Sequence, residues 1–150
     1  DIYVCSVVGI HGFVGHNELY INQQDGTFKE EASSYGLAIQ NYSTSSAFFD
    51  YDKDGDLDMY LLNHGIHNTS NFFGVERRDS YNEMSSDKFY KNENGQFIDV
   101  TMETNLFGGE VGYGLAVCIN DINSDGWDDI YVSNDFFERP LKSLTRVKAI

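Results

Sequence analysis

Two nine-residue segments of this sequence concentrate side chains that could bind a metal ion, at residues 50–58 and 121–129. The first segment reads Asp-Tyr-Asp-Lys-Asp-Gly-Asp-Leu-Asp, and the second reads Asp-Ile-Asn-Ser-Asp-Gly-Trp-Asp-Asp. Both place Asp or Asn at positions 1, 3, 5 and 9 and glycine at position 6. Alternate residues of a tightly wound loop direct their side chains to one centre, and the glycine permits the sharp turn. Because carboxylates this close repel one another without a cation, each segment predicts a metal-binding loop.

The oxygen-rich ligand set favours calcium, which takes six to eight hard oxygen ligands. We expect position 7 of each loop to contribute its backbone carbonyl. In the first loop the predicted ligands are Asp50, Asp52, Asp54, Asp56 and Asp58. In the second loop they are Asp121, Asn123, Asp125, Trp127 and Asp129. Asp1 aligns with the last residue of both loops, and we predict that it is the last ligand of a loop that is cut short.

Other metal sites fit this pattern less well. Magnesium is less suited to an all-protein acidic loop, and zinc or copper would need His or Cys, which neither loop contains. An EF-hand closes with a bidentate Glu at position 12, where this sequence has Leu61 and Val132 inside predicted strands. The loops are therefore predicted to join two strands and to differ from EF-hands.

The segments around the loops recur along the chain. Residues 58–63 match residues 129–134 and also residues 1–6, and residues 18–28 match residues 88–97. The pairs Asp25-Gly26 and Asn94-Gly95 predict tight hairpins, because both residue types tolerate positive φ. We predict strands near residues 44–49, 57–63, 88–92 and 97–101, and no helix of useful length.

The strand after each loop is apolar at successive positions, which is typical of a strand covered on both faces. Four antiparallel strands in each repeat, stacked face to face, describe a blade of a β-propeller. The sequence thus predicts an all-β fold, a β-propeller fragment with about two blades' worth of strands. Residues 1–139 form the partial propeller in this interpretation, with the end of one blade at 1–37, a complete blade at 43–102 and the start of the next at 112–139.

Two segments depart from the repeat. The separation of matching residues grows from 57 between Asp1 and Asp58 to 70 between Tyr20 and Tyr90, which places an insertion within residues 64–86. We predict that this insertion is the surface most specific to the protein, since function tends to lie on such loops. Residues 140–150 leave the pattern, so we expect this tail to pack poorly and the chain to be an incomplete propeller.

Composition narrows the class of partner. The 150 residues carry a formal net charge of −14, which argues against binding to nucleic acid or to an anionic membrane surface. No apolar stretch approaches the length of a transmembrane helix, so membrane insertion is not expected. The two cysteines, Cys5 and Cys118, lie in apolar runs and are predicted to be buried free thiols.

The motif Asp-x-Asp-x-Asp-Gly-x-x-Asp between strands resembles the FG-GAP/VCBS repeat of the integrin α-subunit propeller. More narrowly, residues 48–60 and 19–28 resemble the ASPIC/UnbV-associated VCBS proteins, which are related to cartilage acidic protein. The resemblance covers about residues 1–139. It implies a seven- or eight-bladed propeller that is secreted or surface-exposed and carries calcium in its blade loops.

The leading hypothesis is therefore a calcium-binding extracellular module that acts as a binding or adhesion scaffold for an unknown protein or glycan. The alternatives are the propeller domain of a secreted enzyme, such as a polysaccharide-degrading protein, and a purely structural surface repeat. No catalytic residues are predicted, because no nucleophile–base pair with an oxyanion donor is recognisable. His11 and His16, like His64 and His67, flank glycines in equivalent loops. They are interpreted as ordinary loop histidines, with a second metal site or a catalytic pair as the alternative.

Overall fold

The computed structural model describes residues 1–66, 80–104 and 113–134, together with the backbone of residues 145–146. These residues form ten strands and two single-turn helices. Their bounds are β1 Ile2–Val4, β2 Glu18–Asn22, β3 Phe28–Glu30, α1 Ala32–Tyr35, β4 Ser43–Phe49, β5 Asp58–Asn63, β6 Lys88–Glu93, β7 Gln96–Asp99, α2 Thr101–Thr104, β8 Gly114–Asn120, β9 Asp129–Asn134 and β10 Thr145–Arg146. Within this described part, no helix is long and apolar enough to cross a membrane.

The strands form three antiparallel sheets that follow one another along the chain. The middle sheet has four strands in the order β4-β5-β6-β7, and it is flanked by the sheets β1-β2-β3 and β8-β9-β10. The predicted all-β architecture of antiparallel sheets is therefore confirmed. The middle sheet has the predicted four strands, and they lie close to their predicted positions. The helices α1 and α2 follow β3 and β7, the last strands of the first two sheets.

The three sheets pair their strands in the same register. Ile2 lies opposite Tyr20 in the first sheet, and Met59 lies opposite Tyr90 in the middle sheet. In the third sheet Ile130, the counterpart of Met59, lies opposite Thr145. The expectation that the tail does not join the sheet is therefore wrong for β10. Strand pairing uses backbone N–H and C=O groups. A segment without the repeat's side chains can therefore still pair with β9 as β6 pairs with β5.

The middle sheet is covered on both faces, as its sequence predicted. All six residues of β5 are buried. Met59 and Leu61 pack in a cluster with Leu19 of the first sheet. Tyr60 and Leu62 point to the opposite face and pack in a second cluster with Ile130 of the third sheet. Full burial of each such side chain stabilises the fold by about 1.5–3 kcal/mol, so β5 anchors all three sheets together.

The cysteines do not follow the prediction of buried thiols. Both are free, but Cys5 is half-buried and Cys118 is exposed. Val117 and Ile119 pack toward the middle sheet. Because successive side chains of a strand point to opposite faces, Cys118 projects from the other face of β8, which no described element covers.

Candidate metal centres

The loop at residues 50–58 joins β4 to β5 and brings three carboxylates together. One oxygen from each of Asp50, Asp52 and Asp58 lies within 4.8 Å of the other two. Asp58, the first residue of β5, is fully buried, whereas the other two are partly exposed. Among the described residues this is the one group of three potential acidic, His or Cys ligands at such a separation. Asp54, which was predicted at position 5, is not part of it.

Backbone amides hold this loop in its wound shape. Asp50 Oδ2 accepts a hydrogen bond from the Gly55 amide at 3.1 Å, and Asp58 Oδ2 accepts one from the Tyr51 amide at 3.1 Å. Gly55 has φ of 98° and Lys53 has φ of 64°, values in the left-handed region that allow the reversal of the chain. These bonds orient one oxygen of each carboxylate. The second oxygen of Asp50 accepts no hydrogen bond from the described residues, whereas that of Asp58 accepts one from the backbone amide of Asn92.

The remaining oxygens fit a cation. Oδ1 of Asp50 and Oδ1 of Asp56 are shielded from solvent, and neither has a hydrogen-bond partner among the described residues. A buried carboxylate oxygen without a partner is costly, and a metal ion would satisfy it. Burial also raises the pKa of Asp58 to about 6, which means that the folded loop disfavours the charged form without a compensating charge. The donor set, all oxygen and mostly from carboxyl groups, fits calcium.

The loop at residues 121–129 has the same frame. Asp121 Oδ2 accepts a hydrogen bond from the Gly126 amide at 2.8 Å, and Asp129 Oδ2 accepts one from the Ile122 amide at 3.0 Å. The carboxylates at positions 1 and 9 of the first loop accept the equivalent hydrogen bonds. Asp129 is buried like its counterpart Asp58.

The second loop differs at position 3. Asn123 accepts a hydrogen bond from the Asp125 amide at 2.9 Å, and its Nδ2 lies 3.5 Å from Asp129 Oδ1. An amide at this position offers one neutral oxygen where the first loop offers a carboxylate. The second loop therefore gathers fewer negative charges around the same centre.

Asp1 occupies the equivalent place in the first sheet. Its Oδ1 accepts a hydrogen bond from the Asn22 amide at 2.8 Å. Asp58 Oδ1 accepts one from the Asn92 amide, also at 2.8 Å. Asp1 thus holds the end of β2, and Asp58 holds the end of β6 in the same way. This shared contact supports the alignment of Asp1 with Asp58.

The structure adds a residue that the loop pattern did not reveal. Lys91 of β6 places its Nζ 2.7 Å from Asp52 Oδ2 and 4.0 Å from Asp54 Oδ2. The ion pair with Asp52 raises the pKa of Lys91, which therefore remains an ammonium group. The residue is distant in sequence from the loop, and the repeat alignment was the only clue that could have placed it beside Asp58.

The two loops also touch each other. Lys53, at position 4 of the first loop, donates a hydrogen bond to the Gly126 carbonyl of the second loop. Its Nζ lies 4.1 Å from the centroid of the Trp127 ring. The lysine of the first loop is thus directed toward the neighbouring sheet and away from its own carboxylates.

The predicted insertion is anchored at both of its described ends. His64 forms an isolated bridge with Tyr113, and their rings are 5.3 Å apart. The Met84 carbonyl accepts a hydrogen bond from the Tyr42 amide at 3.0 Å. Residues 67–79, which include His67, lie outside the described part of the chain. His16 lies in the earlier loop, and its Nδ1 is shielded from solvent without a hydrogen-bond partner among the described residues.

Comparison with known families gives one match. Residues 1–61 match the model of the FG-GAP-like repeat. This match supports an FG-GAP repeat protein. FG-GAP repeats form propeller blades, in agreement with the four-stranded antiparallel sheet that begins within the matched stretch. The matched residues also include the whole loop 50–58. No curated protein is significantly similar to the chain.

Proposed function

We propose that this chain is a calcium-binding part of an extracellular β-propeller made of FG-GAP repeats, and that it acts as a scaffold for binding or adhesion. The observation that carries the proposal is the group of Asp50, Asp52 and Asp58, whose oxygens lie within 4.8 Å of one another. Carboxylates at that separation favour a compensating cation, and an all-oxygen set in a flexible loop suits calcium.

The same residues define which groups would hold the ion. In the first loop these are Asp50, Asp52 and Asp58, with Asp54 and the Asp56 carbonyl completing the shell. In the second loop they are Asp121, Asn123, Asp125, Asp129 and the Trp127 carbonyl. Bound calcium supplies two positive charges that offset the repulsion between the carboxylates. Because each loop joins two paired strands, that charge would also fix the strand ends.

The proposed location follows from the expected strength of binding. Calcium loops of extracellular modules have Kd values as weak as ~10⁻⁴–10⁻³ M, which calcium outside the cell still fills. We also propose membership of the ASPIC/UnbV-associated group, supported by the sequence of residues 48–60 and 19–28. The partner would be a protein or a glycan, and the insertion within residues 64–86 is the surface proposed to bind it.

We propose a binding role without catalysis. The support is that the buried carboxyl group of the described blade outside the loops takes part in structural hydrogen bonds. This group, Asp87, accepts bonds from the Tyr60 hydroxyl at 2.8 Å and from the Asn63 amide at 2.9 Å. Carboxylates held by two internal donors in a blade core are typical of structural networks.

Calorimetric titration of the metal-stripped protein with calcium tests the proposal directly. We expect two binding sites and a higher melting temperature with calcium, since a ligand that binds only the folded state adds about 2.7 kcal/mol of stability at a hundredfold excess over Kd. Magnesium at the same concentration serves as the control and should bind more weakly. The proposal fails if millimolar calcium neither releases or absorbs heat nor raises the melting temperature.

A further inference from the structure

Lys91 directs a positive charge into the first loop from a different strand. Besides its contacts with Asp52 and Asp54, its Nζ lies 3.4 Å from Glu93 Oε1. The side chain of Asp52 is 12% exposed and that of Lys91 is 26% exposed. The pair is thus more shielded from water than an ordinary surface salt bridge, and its electrostatic effect is correspondingly larger.

The position of Lys91 in the repeat is not occupied by the same kind of residue in every sheet. Lys91 follows Tyr90 in β6, and the residue that follows Tyr20 in β2 is Ile21. In the third sheet the corresponding residue is Arg146, which lies opposite Asp129 in the strand register. A basic residue therefore stands at this position beside both complete loops, and an apolar residue stands there in the first sheet.

The contact bears directly on metal binding. Asp52 Oδ2, which Lys91 engages at 2.7 Å, belongs to a carboxylate of the three-residue group. A divalent cation in the loop would share this carboxylate with the ammonium group or displace it. Either outcome costs part of the binding free energy, because like charges would be brought close together or an ion pair would be broken.

We propose that Lys91 is a built-in counter-ion of the loop 50–58, which stabilises the metal-free loop and weakens its affinity for calcium. This inference rests on the proposed function and adds the residue that sets its strength. The first loop carries five aspartates and the second carries four. Charge number alone would make the first loop the tighter site, and Lys91 reduces that advantage.

The test uses Lys91→Met, which removes the charge and keeps an unbranched side chain, and Lys91→Arg, which keeps the charge. Lys29→Met is the matched control, because Lys29 forms an exposed ion pair with Glu31 outside the loop. Calcium titration of the full chain should give a Kd at the first site about tenfold lower in Lys91→Met, the scale of one unit charge acting on a divalent ion in a solvated loop. Lys91→Arg and Lys29→Met should retain the Kd of the unmodified chain.

Melting temperatures provide a second readout. Lys91→Met should melt at a lower temperature than the unmodified chain without metal, and calcium should raise its melting temperature by a larger increment. Lys91→Gln provides a second neutral variant if the methionine protein folds poorly. The proposal would be overturned if the neutral variants bound calcium no more tightly than the unmodified chain. Their loss of stability would then be equal with and without calcium. That result leaves the calcium function standing, whereas an unmodified chain that binds no calcium overturns both.

Discussion

Lys53 Nζ lies 4.1 Å from the centroid of the Trp127 ring, a cation–π contact between the candidate metal loops of two adjacent sheets. The same ammonium group donates a hydrogen bond to the Gly126 carbonyl. Lys53 and Trp127 stand at positions 4 and 7 of their loops. The contact uses the Trp127 ring, whereas only the backbone carbonyl of Trp127 is a predicted ligand. The two candidate centres are therefore linked physically, and a change in one loop can reach the other through a single side chain.

Lys53→Met should lower the free energy of unfolding by about 0.5–1 kcal/mol, the usual range for an exposed cation–π pair. Trp127 is the only tryptophan in the sequence, so the tryptophan emission of the chain reports on the surroundings of this ring. We expect a change in emission maximum or intensity in the variant, together with a lower urea midpoint. Lys29→Met is the control, and its fluorescence should match that of the unmodified chain. Identical tryptophan emission in Lys53→Met would contradict the contact.

The two loops can be inactivated separately with matched changes. Asp50→Asn and Asp121→Asn each remove one charge at position 1 and keep an oxygen that can accept the hydrogen bond from Gly55 or Gly126. Each variant should lose one of two calcium-binding events in calorimetry and keep the other, with affinity at the altered loop weakened at least about tenfold. Loss of both events in either variant would show that the loops do not bind independently.

The buried carboxyl of Asp87 predicts a dependence of stability on pH. Burial raises the pKa of Asp87 to about 7, from 3.8 for the free side chain. Because the folded state then holds the proton more tightly than the unfolded state, the stabilising effect is fully present below pH 4 and is lost as pH rises to about 7. We expect this group to reduce the free energy of unfolding by on the order of 4 kcal/mol over that range.

Urea unfolding of the unmodified chain and of Asp87→Asn, measured with excess chelator between pH 4 and pH 8, checks this prediction. In Asp87→Asn, the free energy of unfolding should fall less steeply with pH than in the unmodified chain. Tyr60→Phe removes a hydrogen bond to the carboxylate and should move the transition to higher pH. Parallel pH profiles for Asp87→Asn and the unmodified chain would contradict the assignment.

The outer faces of the first and third sheets predict self-association of the 150-residue chain. Ile2 is 49% exposed and Tyr131 is 39% exposed, although their counterparts Met59 and Tyr60 are buried between sheets. Tyr131 lies on the face of β9 that is equivalent to the face of β5 packed against the third sheet. Ile2 lies on the face of β1 that is equivalent to the face of β5 packed against the first sheet. A second copy can therefore stack head to tail in the same way.

Sedimentation analysis over a range of concentrations should show oligomers of the unmodified chain. Tyr131→Lys and Ile2→Lys should each shift the distribution toward monomer, because a charge in an apolar contact is costly. Met102→Lys, at an exposed site on α2, is the control and should not alter the distribution. A chain that is monomeric at all concentrations would contradict the prediction.

The sequence predicted most reliably those features that depend on neighbouring residues. The spacing of the five aspartates in residues 50–58 was sufficient to propose a common centre, and Asp50, Asp52 and Asp58 do lie together, although Asp54 is not in their group. The run of apolar residues in β5 was sufficient to propose burial on both faces. In each case the determining pattern lies within ten consecutive residues and has a direct geometric meaning. The hairpin from β6 to β7 was likewise predicted from Asn94-Gly95, which forms its turn.

Features that depend on pairing between distant residues were not predicted. Lys91 reaches the loop only because β6 pairs with β5 in a particular register, which local sequence does not specify. The helices α1 and α2 are single turns, too short to show a helical period. Cys118 was expected to be buried because its neighbours are apolar, but alternation along β8 directs it away from the middle sheet.

The strands β2, β6 and β10 occupy the same place in their sheets, next to β1, β5 and β9, but they do not share one sequence pattern. Tyr20 and Tyr90 sit in recognisably similar segments, whereas Thr145 sits in the same register within a segment that lacks the tyrosine and the Asn-Gly or Asp-Gly turn of the other two. A search for blades by residue similarity would therefore recognise the third sheet by its aspartate loop and by β9, and not by the strand that pairs with β9 on its other side. Within this chain, a strand can hold its place in a blade through backbone pairing alone, whereas the aspartate loop keeps the same residue types at positions 1, 5, 6 and 9 in both copies.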